Sequence, residues 1–136
     1  MILIPVRVAP SGIHGLGLFT TQTVPRGTPV WRSIPGFDQA FTDQQVAEFP
    51  QVVQDHIRWF GWKQATTGCW ILSGDHACFM NHDPLPNTGM VTDGDGSVTV
   101  ALKDLAAGEE LTCDYWEFDA EAVSKLGAPS GMAHVR

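Results

Sequence analysis

Two stretches in the second half of the chain decide its fold: FMNHDPLPN at residues 79–87 and GEELTCDY at residues 108–115. Two prolines within residues 81–87 predict an irregular segment, because proline donates no backbone hydrogen bond. In the later stretch, a turn at Ala107-Gly108 leads into residues 111–113, which predict a short strand. That stretch ends in Tyr115, the only tyrosine of the chain. The sequence therefore places a lone phenol two residues after a predicted strand.

Length and composition predict one mainly β domain with short helices. The chain has 136 residues, and 43% of them are hydrophobic, which suffices for one core. Its 14 glycines and 9 prolines together exceed the usual share of about 12%, which favours a turn-rich domain over a helical bundle. We expect a single domain over residues 1–136, with a core at about 3–118, a helical insert at about 42–60 and a C-terminal tail at 119–136.

Charge and hydropathy exclude several classes of protein. The formal net charge is −7, and without a basic face we expect no direct binding of nucleic acid. An acidic surface would instead attract a basic partner such as a Lys-rich peptide. No stretch approaches the ~20 apolar residues of a membrane span, and residues 1–8 do not resemble a secretory signal. Cys69, Cys78 and Cys113 form no CxxC pair, which predicts reduced thiols and a cytoplasmic protein.

Residues 42–60 are the one strongly helical stretch. Pro50 lies within it, so we expect two short helices or a kink. Thr42 or Asp43 can cap its start, and Gly61 can end it in the left-handed conformation. Apolar residues recur at steps of three and four, which predicts one buried face: Val46, Phe49, Val53, Ile57 and Phe60.

Elsewhere short apolar runs alternate with turns. Strands are predicted at residues 2–8, 30–34, 62–64 and 69–72, one helical turn or a loop at 74–80, and a short helix at 118–126. The sequence DGDG at residues 93–96, flanked by apolar runs at 90–92 and 98–102, predicts a hairpin. A calcium loop starting at Asp93 is excluded, because Val98 and Asp104 stand where glycine and glutamate are needed.

Two other clusters carry residue types that occur in binding or catalytic sites. Five potential ligands or nucleophiles crowd into nine residues, namely Asp75, His76, Cys78, His82 and Asp83. The spacing of these residues matches no metal-ligand pattern, so we expect no metal site. The sequence also identifies no third residue that would orient a Cys–His nucleophile pair. Gly15-x-Gly17 lacks the third glycine and the following helix of a nucleotide-binding loop. It does permit close approach of the backbone to a ligand.

Three separated segments together resemble the SET-domain family. They are GLGLF at residues 15–19, preceded by PSG at 10–12, then residues 79–87 and residues 108–115. The chain is most similar to the small stand-alone SET proteins of bacteria and viruses. The resemblance implies a β-clip fold with a knot-like crossing of the segments around Asn81 and Tyr115. It also implies S-adenosylmethionine as methyl donor and a lysine side chain of a protein as acceptor.

The resemblance assigns the donor site to the first and second motifs. Gly15, Leu16 and Gly17 would offer backbone groups to the methionine end of the donor. Asn81 would bind the donor's amino group through its side chain, and His82 would contact adenine through its backbone. Other motif residues would have structural roles, namely Glu110 and Asp114 in hydrogen bonding or charge balance, and Pro84, Pro86 and Asn87 in a rigid segment.

The resemblance makes Tyr115 the catalytic residue, whose phenol would orient the acceptor nitrogen. Trp116 would stack on adenine or line the lysine channel, Phe118 would line that channel, and either could instead be a core aromatic. Cys113 stands where many relatives carry Phe or Tyr. A smaller side chain there implies a roomier channel.

Alternatives to lysine methylation remain open from the sequence. Cys113 and the lack of a cysteine-rich module after the domain are compatible with a catalytically weak module that binds the donor or a lysine-rich tail without turnover. Methyl transfer to another amine, such as a small molecule, is a third option. Closure of the channel by the tail or by a second subunit makes a homodimer an expectation.

Overall fold

The computed structural model describes residues 1–94 and 96–127. Their strands in chain order are β1 Val6–Pro10, β2 Leu16–Thr20, β3 Pro29–Trp31, β4 Gln39–Phe41, β5 Trp62–Lys63, β6 Trp70–Leu72, β7 Asn81–His82, β8 Thr88–Asp93, β9 Gly96–Ala101 and β10 Thr112–Cys113. The helices are α1 Asp43–Glu48, α2 Gln51–Phe60, α3 Tyr115–Phe118 and α4 Ala122–Leu126, with a 3-10 helix at His76–Phe79. The prediction of a mainly β fold with short helices is confirmed.

The chain divides into two compact units. Among the described residues, the first unit comprises 1–39, 73–94 and 96–114, and the second comprises 40–72 and 115–127. The prediction of a single domain over 1–136 stays a prediction, as does the knot-like crossing. Half of the predicted tail, residues 128–136, lies outside the described residues. No helix within the described residues is both long and apolar enough to cross a membrane.

Three small sheets build the first unit. Strands β1 and β2 pair antiparallel, β7 and β10 pair parallel, and β3, β9 and β8 form an antiparallel sheet with β9 in the centre. The predicted hairpin is confirmed, because β8 pairs with β9 from Thr88–Ala101 to Asp93–Gly96. The first strand begins at Val6, later than expected; Pro5 has no backbone N–H to donate. Leu18, Val30 and Leu111 are fully buried and form part of this core.

The second unit packs two helices on a three-stranded sheet of order β4-β6-β5. The expected break at Pro50 is confirmed, since α1 ends before it and α2 begins after it. Thr42 caps α1 by accepting from the Gln45 backbone N–H, while the Gln45 side chain accepts from the Thr42 N–H. The predicted apolar face is also found: Val46, Ile57 and Trp70 are buried, and Phe49 and Val53 pack against them.

Two local expectations for the second unit are wrong. Gly61 ends α2 with a φ of −88°, not in the left-handed conformation. A Cβ at this residue would lie 2.6 Å from both the Ile57 and the Ile71 carbonyl oxygens, so close packing requires the glycine. The expected helix at 118–126 is split, because Asp119 between α3 and α4 accepts hydrogen bonds from the Lys63 and Glu121 backbone N–H groups.

Candidate active site

The second and third motifs meet in the first unit through a parallel strand pair. Asn81 is opposite Thr112 and His82 is opposite Cys113. The Asp83 N–H extends this pairing by donating to the Cys113 carbonyl oxygen at 3.1 Å. Residues that are 31 apart in the chain are thereby held side by side by backbone hydrogen bonds.

Asn87 joins the end of the second motif to the third motif by hydrogen bonds. Its Nδ2 donates to the Glu110 carbonyl oxygen at 2.7 Å, and its Oδ1 accepts from the Thr112 N–H at 2.8 Å. The neighbouring Thr88 hydroxyl donates to the Thr112 carbonyl oxygen at 2.6 Å. Asn87, Thr88 and Thr112 are buried, and a satisfied polar network in a buried place holds its backbone in one arrangement. This is the rigid role expected for Asn87.

Glu110 joins the first motif to the other two. Its carboxylate accepts from the Ser11 hydroxyl at 2.7 Å and from Asn81 Nδ2 at 2.9 Å. Gly17 lies against the same carboxylate, and a Cβ at this position would overlap Glu110 Oε1. The close approach that Gly17 permits is therefore made by Glu110. The expected structural role of Glu110 agrees with these contacts.

The Asn81 amide reaches the backbone of the first motif. Its Nδ2 lies 3.1 Å from both the His14 and the Leu16 carbonyl oxygens, and the residue is only 8% exposed. Gly15 between them has a φ of +45°, in the left-handed region that favours glycine. The turn at Gly15 thus brings two backbone oxygens to one side chain. Gly15, Leu16, Gly17 and Asn81, which were assigned to the donor from sequence, lie together.

His82 and Cys113 belong to the β7–β10 strand pair, and Asp114 follows Cys113 in the chain. His82 Nδ1 lies 3.5 Å from Asp114 Oδ1, and the role of Asp114 in hydrogen bonding or charge balance stays a prediction. Cys113 is buried, with its Sγ 4.0 Å from the Asn81 carbonyl oxygen. The smaller side chain at this position thus sits in the first unit, beside Asn81.

The Asp75–Asp83 cluster has structural contacts. Asp75 caps the 3-10 helix by accepting from the Ala77 N–H at 3.0 Å, and it also accepts from the Ile2 N–H at 2.6 Å. Burial raises the pKa of the Cys78 thiol, which disfavours the thiolate that nucleophilic attack or metal binding requires. In residues 1–94 and 96–127, no three His, Cys, Asp or Glu side chains are grouped to hold a metal ion.

Tyr115 opens α3 in the second unit, directly after the last residue of the first unit. Its ring lies 6.0 Å from the Phe118 ring in a T-shaped contact, and Phe118 makes the same contact with Trp62. Trp116 is 38% exposed, so it is not a core aromatic. Phe118 is half-buried and belongs to this aromatic row. Tyr115 and Phe118, two of the predicted site residues, are thus in contact within the second unit.

Sequence reasoning missed Asp119 and Lys125. Lys125 Nζ donates to Asp119 Oδ2 at 2.8 Å and lies 6.0 Å from the centroid of the Tyr115 ring. On the single helix expected at 118–126, residues six apart would not share a face. No sequence signal could have found this contact, because it depends on the break between α3 and α4.

Comparison with known proteins identifies the family. The family model described as SET domain matches residues 15–116, three quarters of the chain. The chain therefore belongs to the SET-domain family, and the resemblance seen in its sequence is confirmed.

Similar solved structures show the same fold. A humanized mutant of the Chaetomium thermophilum Polycomb Repressive Complex 2, bound to an inhibitor, matches with a TM-score of 0.62 at 20% identity, over 89% of this chain and 16% of that chain. A structure called ctPRC2, in an autoinhibited conformation with S-adenosylmethionine bound, matches with 0.63 at 20% identity, over 90% and 16%. A candidate histone methyltransferase of Plasmodium falciparum matches with 0.55 at 15% identity, over 84% and 95%.

The chain thus spans about a sixth of the length of the two Polycomb chains and nearly all of the Plasmodium protein. At these identities the likeness establishes the fold.

Proposed function

We propose that this protein is a methyltransferase that uses S-adenosylmethionine to methylate a lysine side chain of a protein or peptide. The observation that carries the proposal is the Glu110 network, since it joins Ser11 of the first motif to Asn81 of the second. Membership of the SET family supports the reaction type. Two similar structures add support, one with S-adenosylmethionine bound and one named as a candidate histone methyltransferase.

The oxygens around Asn81 fit the ammonium end of the donor. The His14 and Leu16 carbonyl oxygens both approach the Asn81 amide, and the Glu110 carboxylate adds negative charge beside them. An ammonium group only donates hydrogen bonds, so a group of oxygens suits it. We assign the methionine end of the donor to residues 15–17 and Asn81.

The remaining donor contacts follow the family pattern. We assign adenine to the His82 backbone and, by stacking, to Trp116, a residue that is 38% exposed. A stacked base needs an accessible π face, which a fully buried tryptophan would not offer.

Tyr115 is the proposed catalytic residue. S-Adenosylmethionine would supply a methyl group on a sulfonium. An unprotonated amine would attack the methyl carbon as the C–S bond breaks, and the neutral thioether would leave. The chain then has to align the acceptor nitrogen rather than supply a strong acid or base. The Tyr115 hydroxyl would hydrogen-bond to that nitrogen and orient its lone pair.

The acceptor must lose its proton before transfer. A free lysine titrates at about 10.4, and apolar surroundings favour the neutral amine because they do not solvate the ammonium. We assign Cys113 and Phe118 to the walls of the acceptor channel, where apolar side chains would have this effect.

The test is methyl transfer from labelled S-adenosylmethionine to Lys-rich peptides, with the same peptides carrying Arg in place of Lys as control. We expect label on the lysine peptides alone. Tyr115→Phe should lose about 100-fold in kcat because the acceptor is no longer aligned. It should keep its affinity for the donor in calorimetry, since the ring remains.

Three outcomes would contradict the proposal in different ways. A donor-binding isotherm without methylated product would support a binding module instead. Label on a small amine but on no peptide would change the acceptor class. Full activity of Tyr115→Phe would remove Tyr115 from the mechanism.

A further inference from the structure

Lys125 reaches from α4 to the face of the Tyr115 ring. Its Nζ lies 6.0 Å from the ring centroid, within the range in which an ammonium is attracted to a π face. The same atom donates to Asp119 Oδ2 at 2.8 Å and to the Gly61 carbonyl oxygen at 2.7 Å. Two acceptors therefore hold the ammonium while it faces the ring.

Asp119 is itself held in place. Its side chain is 1% exposed, and its Oδ1 accepts from the Lys63 and Glu121 backbone N–H groups at 3.1 and 3.0 Å. A buried carboxylate requires a paired cation, and Lys125 is that cation. The Asp119 N–H also donates to the Tyr115 carbonyl oxygen at 2.9 Å. The segment that anchors Lys125 is thus hydrogen-bonded to the backbone of Tyr115.

We propose that Lys125, oriented by Asp119, is a positioning residue for Tyr115. The ammonium lies over the face of the ring, and Phe118 makes a T-shaped contact with the same ring at a centroid distance of 6.0 Å. Together these contacts restrict the rotation of the ring and so direct its hydroxyl. The inference rests on the catalytic role proposed for Tyr115, and it adds two residues that lie outside the three motifs.

The opposite role for Lys125 is an inhibitory one. A lysine beside the catalytic ring of a lysine methyltransferase could occupy the position of the acceptor lysine and so prevent substrate binding. The two hydrogen bonds of Nζ argue against this, because leaving them would strand the Asp119 carboxylate without its cation. The two roles predict opposite changes in activity, since removal of a blocking group would raise kcat.

The lone tyrosine allows a direct test that needs no activity. With isotopically labelled tyrosine, the ring signals in an NMR spectrum come from Tyr115 alone. We compare wild type with the double variant Asp119→Asn, Lys125→Met, which leaves no unpaired charge and keeps an acceptor for the two backbone N–H groups. Lys103→Met, an exposed lysine in the first unit, is the matched control.

We expect the ring signals to shift and the ring to flip faster in the double variant, with no change in Lys103→Met. Unchanged ring signals in a folded double variant would overturn the inference. Circular dichroism and urea unfolding establish that the variant is folded.

Activity gives the second arm of the test. The double variant should lose about tenfold in kcat, the loss expected for a well-packed cation–π contact, with KM and donor affinity unchanged. Lys125→Arg, which keeps a cation, should retain most of the activity. An unchanged or raised kcat in the double variant would overturn the inference. If the wild type transfers no methyl group, the proposed function fails while the NMR arm still decides on Lys125.

Discussion

The Glu110 carboxylate connects residues of all three motifs. It accepts from Ser11 and Asn81, and Gly17 leaves room for it. A glycine in this motif suggests contact with a ligand, yet here its missing Cβ makes space for a side chain of the same chain. Residues of three separate motifs thereby contact one carboxylate. A substitution at any of these residues should therefore alter the contacts of the others.

Gly17→Ala tests this arrangement. The added methyl group would displace the Glu110 carboxylate and its hydrogen bonds from Ser11 and Asn81, so we expect a loss of about 1–3 kcal/mol in the free energy of unfolding. Urea unfolding measures this loss, and calorimetry should show weaker donor binding. Gly12→Ala is the control, because no atom lies within 4 Å of its added Cβ. Equal stabilities of the two variants would contradict the account of Gly17.

At the scale of elements, features that depend on neighbouring residues in the chain are predicted better than those that depend on distant partners. The apolar stripe and the break at Pro50 depend on residues near each other in the chain, and both are confirmed. Gly61 and Asp119 depend on partners far away: Ile71 on β6 approaches Gly61, and Lys63 on β5 binds Asp119. Local propensity carries no information on such partners, so the conformation of Gly61 and the split of the last helix were missed.

Gly61→Ala should be costly although its φ is accessible to any residue. Its Cβ would meet two backbone oxygens at 2.6 Å, and backbone cannot rotate away as a side chain can. We expect a loss of about 1–3 kcal/mol in the free energy of unfolding, measured in urea. Gly96→Ala, whose Cβ would lie 3.8 Å from its nearest neighbour, should stay within about 0.5 kcal/mol of wild type. A harmless Gly61→Ala would show that the end of α2 can shift.

For the whole molecule, the net charge of −7 bears on the choice of substrate. An acidic protein attracts basic peptides over distances beyond direct contact, and this attraction raises their local concentration. It selects a charge class rather than a sequence. The proposed preference for lysine-rich substrates therefore has a long-range component that salt can remove.

The salt dependence of KM tests this component. Between about 0.05 and 0.5 M salt the Debye length falls severalfold, so KM for a Lys-rich peptide should rise severalfold while kcat changes little. A peptide with one lysine among neutral residues is the control, and its KM should change much less. Equal salt dependence for both peptides would mean that the charge of the protein does not recruit the substrate.

The sequence by itself determined the family, the mainly β fold, the hairpin at β8–β9 and the apolar face of α1 and α2. These features are encoded in short patterns of hydrophobicity, turn residues and contiguous motifs. It also selected Gly15, Leu16, Gly17 and Asn81, which lie together, and Tyr115, which lies beside Phe118.

Only the tertiary structure decided which side chains meet across the chain. Gly17 contacts Glu110, and Asn87 hydrogen-bonds to Glu110, although these residues are far apart in the chain. Asp119 holds the Lys125 ammonium over the Tyr115 ring, and this contact depends on a helix break that the sequence does not predict. The physical reason is that each contact depends on the packed backbone positions of two segments. A pattern along one segment does not contain those positions.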